Sequence, residues 1–280
     1  MPVMNRIRQG WALTRISWSV LRSDRSLAAF PVLAAVAALL AAAAFGIPSV
    51  LFFDGDMGVP GVIFAAIAIY LVTFAAVFFN VALAAAAAQV LDGHDATVAS
   101  GVAVARTRLP AISGWAAMVA SVNVVIRALQ ERTGPLGDLL LGGIAIAWNL
   151  VTFLAIPVIA LEGLGPIDTL KRSAGIFRER WGEQVTGQVS IGAVIALASI
   201  IPAALLVAIG VLIGGTVAIG IFVGLAVIIV VIAGILSTAL TQIFAVALYR
   251  YATGQGATGA FTEATLANSV VPRKAQPGRI

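Results

Sequence analysis

The sequence has no cysteine and only one histidine, and these absences limit the chemistry it can carry. Without cysteine it forms no disulfide, no thiolate-bound iron–sulfur cluster and no thiol nucleophile. A Ser–His mechanism would have to use His94, and no nucleophile–base pair can be assembled around that residue. We therefore expect a protein that is not an enzyme and that carries no cofactor and no metal.

Charged residues are also scarce, at 10% of the chain, whereas 61% of the residues are hydrophobic and the mean hydropathy is +1.06. Residues 184–249 contain no Asp, Glu, Lys or Arg. Uncharged apolar stretches of this kind indicate membrane-spanning helices, because the ~30 Å hydrocarbon core requires roughly 20 helical residues. Barrel strands are excluded since they alternate apolar and polar residues, whereas residues 27–44 are apolar on every face. The sequence predicts an all-α integral membrane protein.

Six apolar segments predict six transmembrane helices. They cover about residues 27–52, 61–90, 111–130, 139–161, 185–210 and 217–249. Together with an interfacial helix at residues 4–25 they form a single membrane domain, residues 1–254, and residues 255–280 are expected to be a partly disordered cytoplasmic tail. A seventh span within residues 185–249 would carry the basic residues of the tail to the other side, and this disfavours it.

The basic residues indicate how the chain is oriented. Alternate segments between the spans place fifteen of the seventeen Lys and Arg residues on one side and only Arg127 and Arg132 on the other. The positive-inside rule assigns the larger set to the cytoplasm. We expect a multi-pass protein of the prokaryotic cytoplasmic membrane with both termini cytoplasmic. The net charge of +5 then favours anionic lipid as partner and not nucleic acid.

The cytoplasmic segments have the pattern of amphipathic interfacial helices. In residues 166–184, an apolar stripe that includes Leu170 and Phe177 is bordered by basic residues, as in a helix that lies in the headgroup plane. The N-terminal segment has a similar stripe containing Trp11 and Trp18. The residues predicted to contact lipid headgroups are Arg8, Arg15, Arg22, Arg106, Arg108, Lys171, Arg172, Arg178 and Arg180.

Weak internal similarity relates these segments to each other. A shift of 72 residues matches Arg106 with Arg178, and a shift of 156 matches Ser17 with Ser173. This pattern predicts three parallel repeats, each an interfacial basic helix followed by a two-span hairpin. Chance resemblance among basic amphipathic helices explains the matches equally well.

Three asparagines fall inside predicted spans: Asn80, Asn123 and Asn149. Such amides hydrogen-bond between helices in many membrane proteins. Grouped near the midplane of the bilayer, they would instead form a polar site, as in a small carrier or lipid-handling permease. The acidic residues beside His94, namely Asp92 and Asp95, could ligate a metal, but an Asp-Gly turn after the second span is the simpler interpretation.

Four motifs resemble those of a known family. They are LEGLGPIDTLKRSAGIFRERWGE at residues 161–183, FFN at 78–80, RLP at 108–110 and ALYRYATG at 247–254. Together they resemble an uncharacterised prokaryotic family with six transmembrane helices, a domain of unknown function. The central Lys-Arg-Ser motif is also similar to one in the membrane domain attached to some glycerophosphodiester phosphodiesterases, although Ala174 stands where those domains often carry an aromatic residue. The resemblance implies the fold and no activity.

Two functions remain open at this point. The first is a non-enzymatic membrane protein that associates with anionic lipids or with an unknown membrane protein partner. The second is the carrier or permease with a polar site at Asn80, Asn123 and Asn149.

Overall fold

The computed structural model describes residues 2–51, 59–181, 189–256 and 261, and in these ranges the chain forms helices joined by turns. The first half contains α1 (Pro2–Ser23), a 3₁₀ turn (Arg25–Ala28), α2 (Ala29–Ala41), a π-helical turn (Ala42–Gly46), α3 (Ile47–Leu51), α4 (Val59–Leu91) and α5 (Val98–Thr107). The second half contains α6 (Leu109–Gln130), α7 (Pro135–Thr152), α8 (Ala155–Leu161), α9 (Pro166–Trp181), α10 (Val189–Ile213) and α11 (Thr216–Ala252).

Five segments of the described chain are long and apolar enough to cross a membrane. They are Arg25–Val50, Val59–Leu91, Leu109–Gln130, Leu140–Leu161 and Thr216–Ala252. They coincide with the predicted spans one to four and six, so the described chain is all-helical with the character of a multi-pass membrane protein. The predicted fifth span falls on α10, where the apolar stretch Ala198–Ile213 is shorter than the roughly 20 residues required. The count of six spans therefore stays a prediction.

Two prolines explain the irregular turns within the spans. Proline has no N–H to donate to the carbonyl four residues earlier, and its ring collides with that carbonyl. The residue four positions before Pro157 is Phe153. The helix is interrupted there, since α7 ends at Thr152 and α8 begins at Ala155. Pro48 likewise follows the π-helical turn Ala42–Gly46. The continuous helix α10, by contrast, contains Pro202 without a change of helix type.

The buried core lies at one end of the bundle. It includes Leu27 and Phe30 at the start of the first span, residues 81–88 near the end of α4, and Ile112 near the start of α6. It continues with residues 154–160 and with the end of α11, residues 239–249. The starts of the first and third apolar segments thus lie together with the ends of α4, α8 and α11, and we call this end of the bundle the packed end.

The helices that follow the same pattern in sequence also occupy similar places in the bundle. α4, α8 and α11 contact each other at the centre, and α5 packs on α4, α9 on α7 and α8, and α1 on α10 and α11. Each of these three outer helices buries a small residue, namely Ser17, Gly101 or Ser173. α5 and α9 thus pack against the helices just before them in the chain, and α1 packs against the last two helices.

Candidate functional site

Polar side chains at the packed end join the ends of α4, α8 and α11 to one another. The guanidinium group of Arg250, near the end of α11, donates to both carboxylate oxygens of Asp92, at 2.5 and 2.7 Å. The neighbouring hydroxyl of Tyr249 donates to Glu162. Asp92 follows α4 and Glu162 follows α8. Consecutive residues of a helix point about 100° apart. Tyr249 and Arg250 therefore contact two different neighbours, the loops that follow α8 and α4.

Both carboxylates have basic partners. Glu162 also accepts from Nε of Arg172 on α9, at 2.9 and 3.3 Å. The hydrogen bond from Arg250 holds the pKa of Asp92 below its ordinary value of 3.8, despite the opposing effect of partial burial. The Arg250 side chain is only 8% exposed, whereas that of Asp92 is 46% exposed. The positive charge of buried Arg250 is thus neutralised by a carboxylate that is itself half-exposed.

A third carboxylate joins the first span to the second. Asp24 accepts from the backbone N–H of Ser26 at 2.9 Å, which caps the 3₁₀ turn, and from that of Ala96 at 3.1 Å. The Ser26 hydroxyl donates in turn to the Ala96 carbonyl at 3.1 Å. We refer to Asp24, Asp92, Glu162, Arg172, Tyr249 and Arg250 together as the polar collar. Its bonds connect the segment after α1, the loops after α4 and α8, the helix α9 and the end of α11.

Glycines in the left-handed region of φ follow three of the helices. Gly93, Gly163 and Gly254 have φ of 79°, 70° and 80°, and they follow α4, α8 and α11. A Cβ is disfavoured at such angles, and glycine is the usual residue where a helix ends this way. At Gly163 there is also no room, because a Cβ would lie 2.2 Å from Nη1 of Arg108. The Arg108 side chain therefore crosses directly over this turn.

α9 is held at the break between α7 and α8. The Ser173 hydroxyl donates to the carbonyl of Val151 at 2.5 Å, just before the helix is interrupted. Gly114 of α6 also lies close to α9, where a Cβ would be 3.0 Å from Cγ of Pro166. Nearby, Trp148 of α7 stacks on buried Trp115 of α6 at a centroid distance of 6.4 Å.

Most of the predicted lipid contacts are exposed at the packed end. Among them, Arg15, Arg22, Arg106, Lys171, Arg172 and Arg178 are exposed, and Arg108 is partly buried. Nε of Arg108 and Nε of Arg250 are buried without a hydrogen-bond partner among the described residues. The side chains of Arg8 and Arg180 lie outside those that the structure describes.

The three predicted span asparagines have different environments. Asn80 on α4 is half-buried, whereas Asn123 on α6 and Asn149 on α7 are exposed. None of the three makes a side-chain hydrogen bond with another residue in the described ranges. The polar site at these asparagines stays a prediction.

The turn at Asp92 and Gly93 predicted after the second span is present. In the part of the chain that the structure describes, no group of three or more His, Asp and Glu residues is placed to hold a metal. Sequence reasoning missed the partner of Asp92, because Arg250 lies 158 positions away. One signal in the sequence could have indicated these bonds. An acidic residue followed by glycine comes at the end of two predicted spans, as Asp92-Gly93 and Glu162-Gly163.

An apolar groove lies between α1 and the hairpin of α10 and α11. It encloses about 340 Å³ and is lined by Trp11, Thr14 and Trp18 of α1 and by side chains of the hairpin such as Ile195, Ile232 and Leu236. A second cavity of about 340 Å³ adjoins the same tryptophans and includes Arg15 in its wall. α1 thus presents two large aromatic rings to both cavities and one cation to the second.

Comparison with known proteins identifies a family. A model described as a family of unknown function, DUF6159, matches residues 61–260. No curated protein and no solved structure matches the chain. The match confirms the predicted resemblance to an uncharacterised family, and it gives no support to the similarity with the phosphodiesterase-linked membrane domain. The chain belongs to the DUF6159 family.

Proposed function

We propose that this member of the DUF6159 family is a six-span protein of the prokaryotic cytoplasmic membrane that binds anionic lipids and catalyses no reaction. α1, α5 and α9 lie in the headgroup layer on the cytoplasmic side, and both termini face the cytoplasm. The observation that carries this proposal is the exposure of basic side chains on all three helices at the packed end. Arginine and lysine at this level attract anionic headgroups, each by about 1 kcal/mol.

The packing of the three helices supports their interfacial position. Each buries one side against the bundle, with Leu21 of α1, Ala105 of α5 and Phe177 of α9 all under 9% exposed, while its basic residues remain outside. A helix with one buried face and a basic exposed face is typical of the membrane surface. The same arrangement in three places supports three parallel repeats, each a basic helix with a hairpin.

The length of α10 supports the predicted fifth span, and with it a total of six. This helix has 25 residues, which corresponds to roughly 37 Å at 1.5 Å per residue. It packs along α11, and α11 is one of the five apolar segments long enough to cross a membrane. A helix of that length alongside a spanning helix can cross the ~30 Å hydrocarbon core.

The test is a charge-removal variant with a matched control. Arg22, Arg106, Lys171 and Arg178, which represent all three helices, would be replaced by glutamine. The control replaces Arg127 and Arg132, the two basic residues predicted on the opposite side. Purified protein would be extracted from bilayers with equal phosphatidylglycerol and phosphatidylcholine, and the retained lipid counted by native mass spectrometry.

We expect the four-residue variant to prefer phosphatidylglycerol much less than wild type does, because each charge contributes about 1 kcal/mol, or roughly a factor of five. The control should retain the wild-type ratio. Equal ratios in wild type and the four-residue variant would refute lipid binding by these helices. An equal loss in the control would show that the attraction is not confined to the cytoplasmic face.

A further inference from the structure

We infer that the groove between α1 and the α10–α11 hairpin binds one acyl chain of an anionic phospholipid, whose phosphate is held by Arg15. This inference rests on the proposed function and names a specific site within it. The groove is lined almost entirely by apolar side chains, and its volume of about 340 Å³ lies within the ~300–1,000 Å³ typical of small-molecule sites.

The position of the groove along the hairpin matches the inner edge of the hydrocarbon core. Its lining on α11 extends from Ile229 to Leu240, and α11 begins at Thr216 beside the turn. At 1.5 Å per residue, these residues lie roughly 20 to 36 Å from that turn. The hydrocarbon core is ~30 Å thick, so the groove straddles the boundary between acyl chains and headgroups when the turn is at the far surface.

A positive charge in the wall of the adjoining cavity would select an anion. Arg15 is exposed and lines the cavity that adjoins Trp11 and Trp18. Trp11 and Trp18 are 58% and 43% exposed, and each ring has an apolar body that suits an acyl chain and an N–H that suits the headgroup level. An arginine beside two such rings complements a phosphodiester with its chain in the groove.

α9 provides an internal comparison for this assignment. At the positions that a shift of 156 residues relates to Trp11, Thr14 and Trp18, it carries Ile167, Leu170 and Ala174. None of the three has a ring, and the cavities of about 340 Å³ at α1 both contain the two tryptophans. The paired rings are thus a property of α1 and not of every basic helix.

The first experiment fills the groove. Ile232, which lines the groove, is changed to tryptophan, and the matched control is Ile228→Trp, one turn away on the same exposed face and outside the lining. Native mass spectrometry of the full chain from mixed phosphatidylglycerol and phosphatidylcholine bilayers would count the tightly held lipid. We expect wild type and Ile228→Trp to retain one phosphatidylglycerol, and Ile232→Trp to retain several-fold less.

The second variant addresses the charge. Arg15→Gln should reduce the preference for phosphatidylglycerol over phosphatidylcholine at this site about fivefold, while Arg127→Gln, at an exposed position of α6 outside the groove, should leave the single held lipid in place. As an independent readout, phosphatidylglycerol with brominated chains should quench tryptophan fluorescence in wild type. The fraction quenched should fall in Trp11→Phe/Trp18→Phe.

Three results would overturn the inference. The first is equal lipid retention by Ile232→Trp and Ile228→Trp, and the second is quenching unchanged by removal of both tryptophans. The third is a wild-type dimer that Ile232→Trp dissociates, because a second copy of the chain would then cover the groove. If lipid preference still falls when Arg22, Arg106, Lys171 and Arg178 are replaced, the proposed function survives and only the groove assignment fails.

Discussion

The packed end and the opposite end of the bundle differ in what they bury and in the charges they hold. At the packed end, residues 82–84 near the end of α4 and the end of α11 are almost fully buried, and the polar collar links α4, α8 and α11. At the opposite end, large aliphatic side chains are exposed, with Leu212, Val217 and Val50 at 85%, 76% and 73%.

This difference indicates two different solvents. In water, an exposed aliphatic surface of that extent would drive association, whereas in a bilayer the lipid chains cover it without cost. Exposed arginines, by contrast, need water or headgroups, and they gather on the helices at the packed end. Protein packing and polar contacts are thus concentrated at the packed end, which the proposed topology places at the headgroup level, with lipid covering the rest.

The largest expected difference between the two ends is in access to a reagent outside the cell. Since the chain has no cysteine, a single introduced thiol reports without background. Thr107→Cys lies at the packed end and Thr133→Cys at the opposite end, and both threonines are exposed. Because the basic side is expected in the cytoplasm, a membrane-impermeant maleimide should label only Thr133→Cys in intact cells.

Permeabilised cells provide the control, since both variants should then be labelled to the same extent. Labelling of Thr107→Cys alone in intact cells would invert the proposed orientation. Labelling of both in intact cells would mean that α6 does not cross the membrane.

A smaller effect, on thermal stability, is expected when one methyl group is added at the packed end. A Cβ on Gly101 of α5 would lie 2.6 Å from the carbonyl oxygen of Ala82 and 2.7 Å from Cζ of Phe30. Backbone cannot move aside cheaply, so Gly101→Ala should destabilise the protein by about 1–3 kcal/mol, as overpacking does in other cores. Thermal unfolding in detergent would report this as a lower Tm.

Gly175→Ala in α9 is the matched control, because a Cβ there meets nothing within 4 Å. Alanine favours helix over glycine by about 1 kcal/mol, so this variant should unfold at the same temperature or higher. Equal changes in Tm for the two variants would contradict the close approach of α5 to α4.

The apolar helices were predictable from the sequence, but the faces by which they pack on each other were not. Long apolar runs such as residues 217–249 are local signals, and five of the predicted segments coincide with helices long enough to cross a membrane. A span that is apolar on every face does not indicate which face meets protein. The alanines of residues 84–88 gave no such signal, yet they form the centre of the bundle.

The candidate site shows the same limit. The basic stripe of α9 is local, so exposure of Arg178 was predictable from its position outside the apolar arc. The bonds from Tyr249 to Glu162 and from Arg250 to Asp92 join residues 87 and 158 positions apart. No periodicity connects such pairs. The groove depends in the same way on how α1 meets α10 and α11, which the tryptophans alone did not reveal.

The smallest expected effect concerns the charge of the polar collar. Asp92→Asn removes the anion that faces buried Arg250, and it should lower stability at neutral pH by about 1–3 kcal/mol. The half-exposed carboxylate favours the low end of that range. Asp95→Asn, at an exposed neighbour in the same loop, should have little effect on Tm.

The pH dependence of that difference tests its origin. The pKa of Asp92 in the folded protein is below its ordinary value of 3.8, chiefly because of the hydrogen bond from Arg250. The stabilisation is therefore fully present above about pH 4 and is lost as the pH falls through the lowered pKa. The Tm difference between wild type and Asp92→Asn should shrink over that acidic range. A difference that stays constant with pH would mean that the amide disturbs the turn at Gly93, and that the charge of Asp92 contributes nothing to holding α11 against α4.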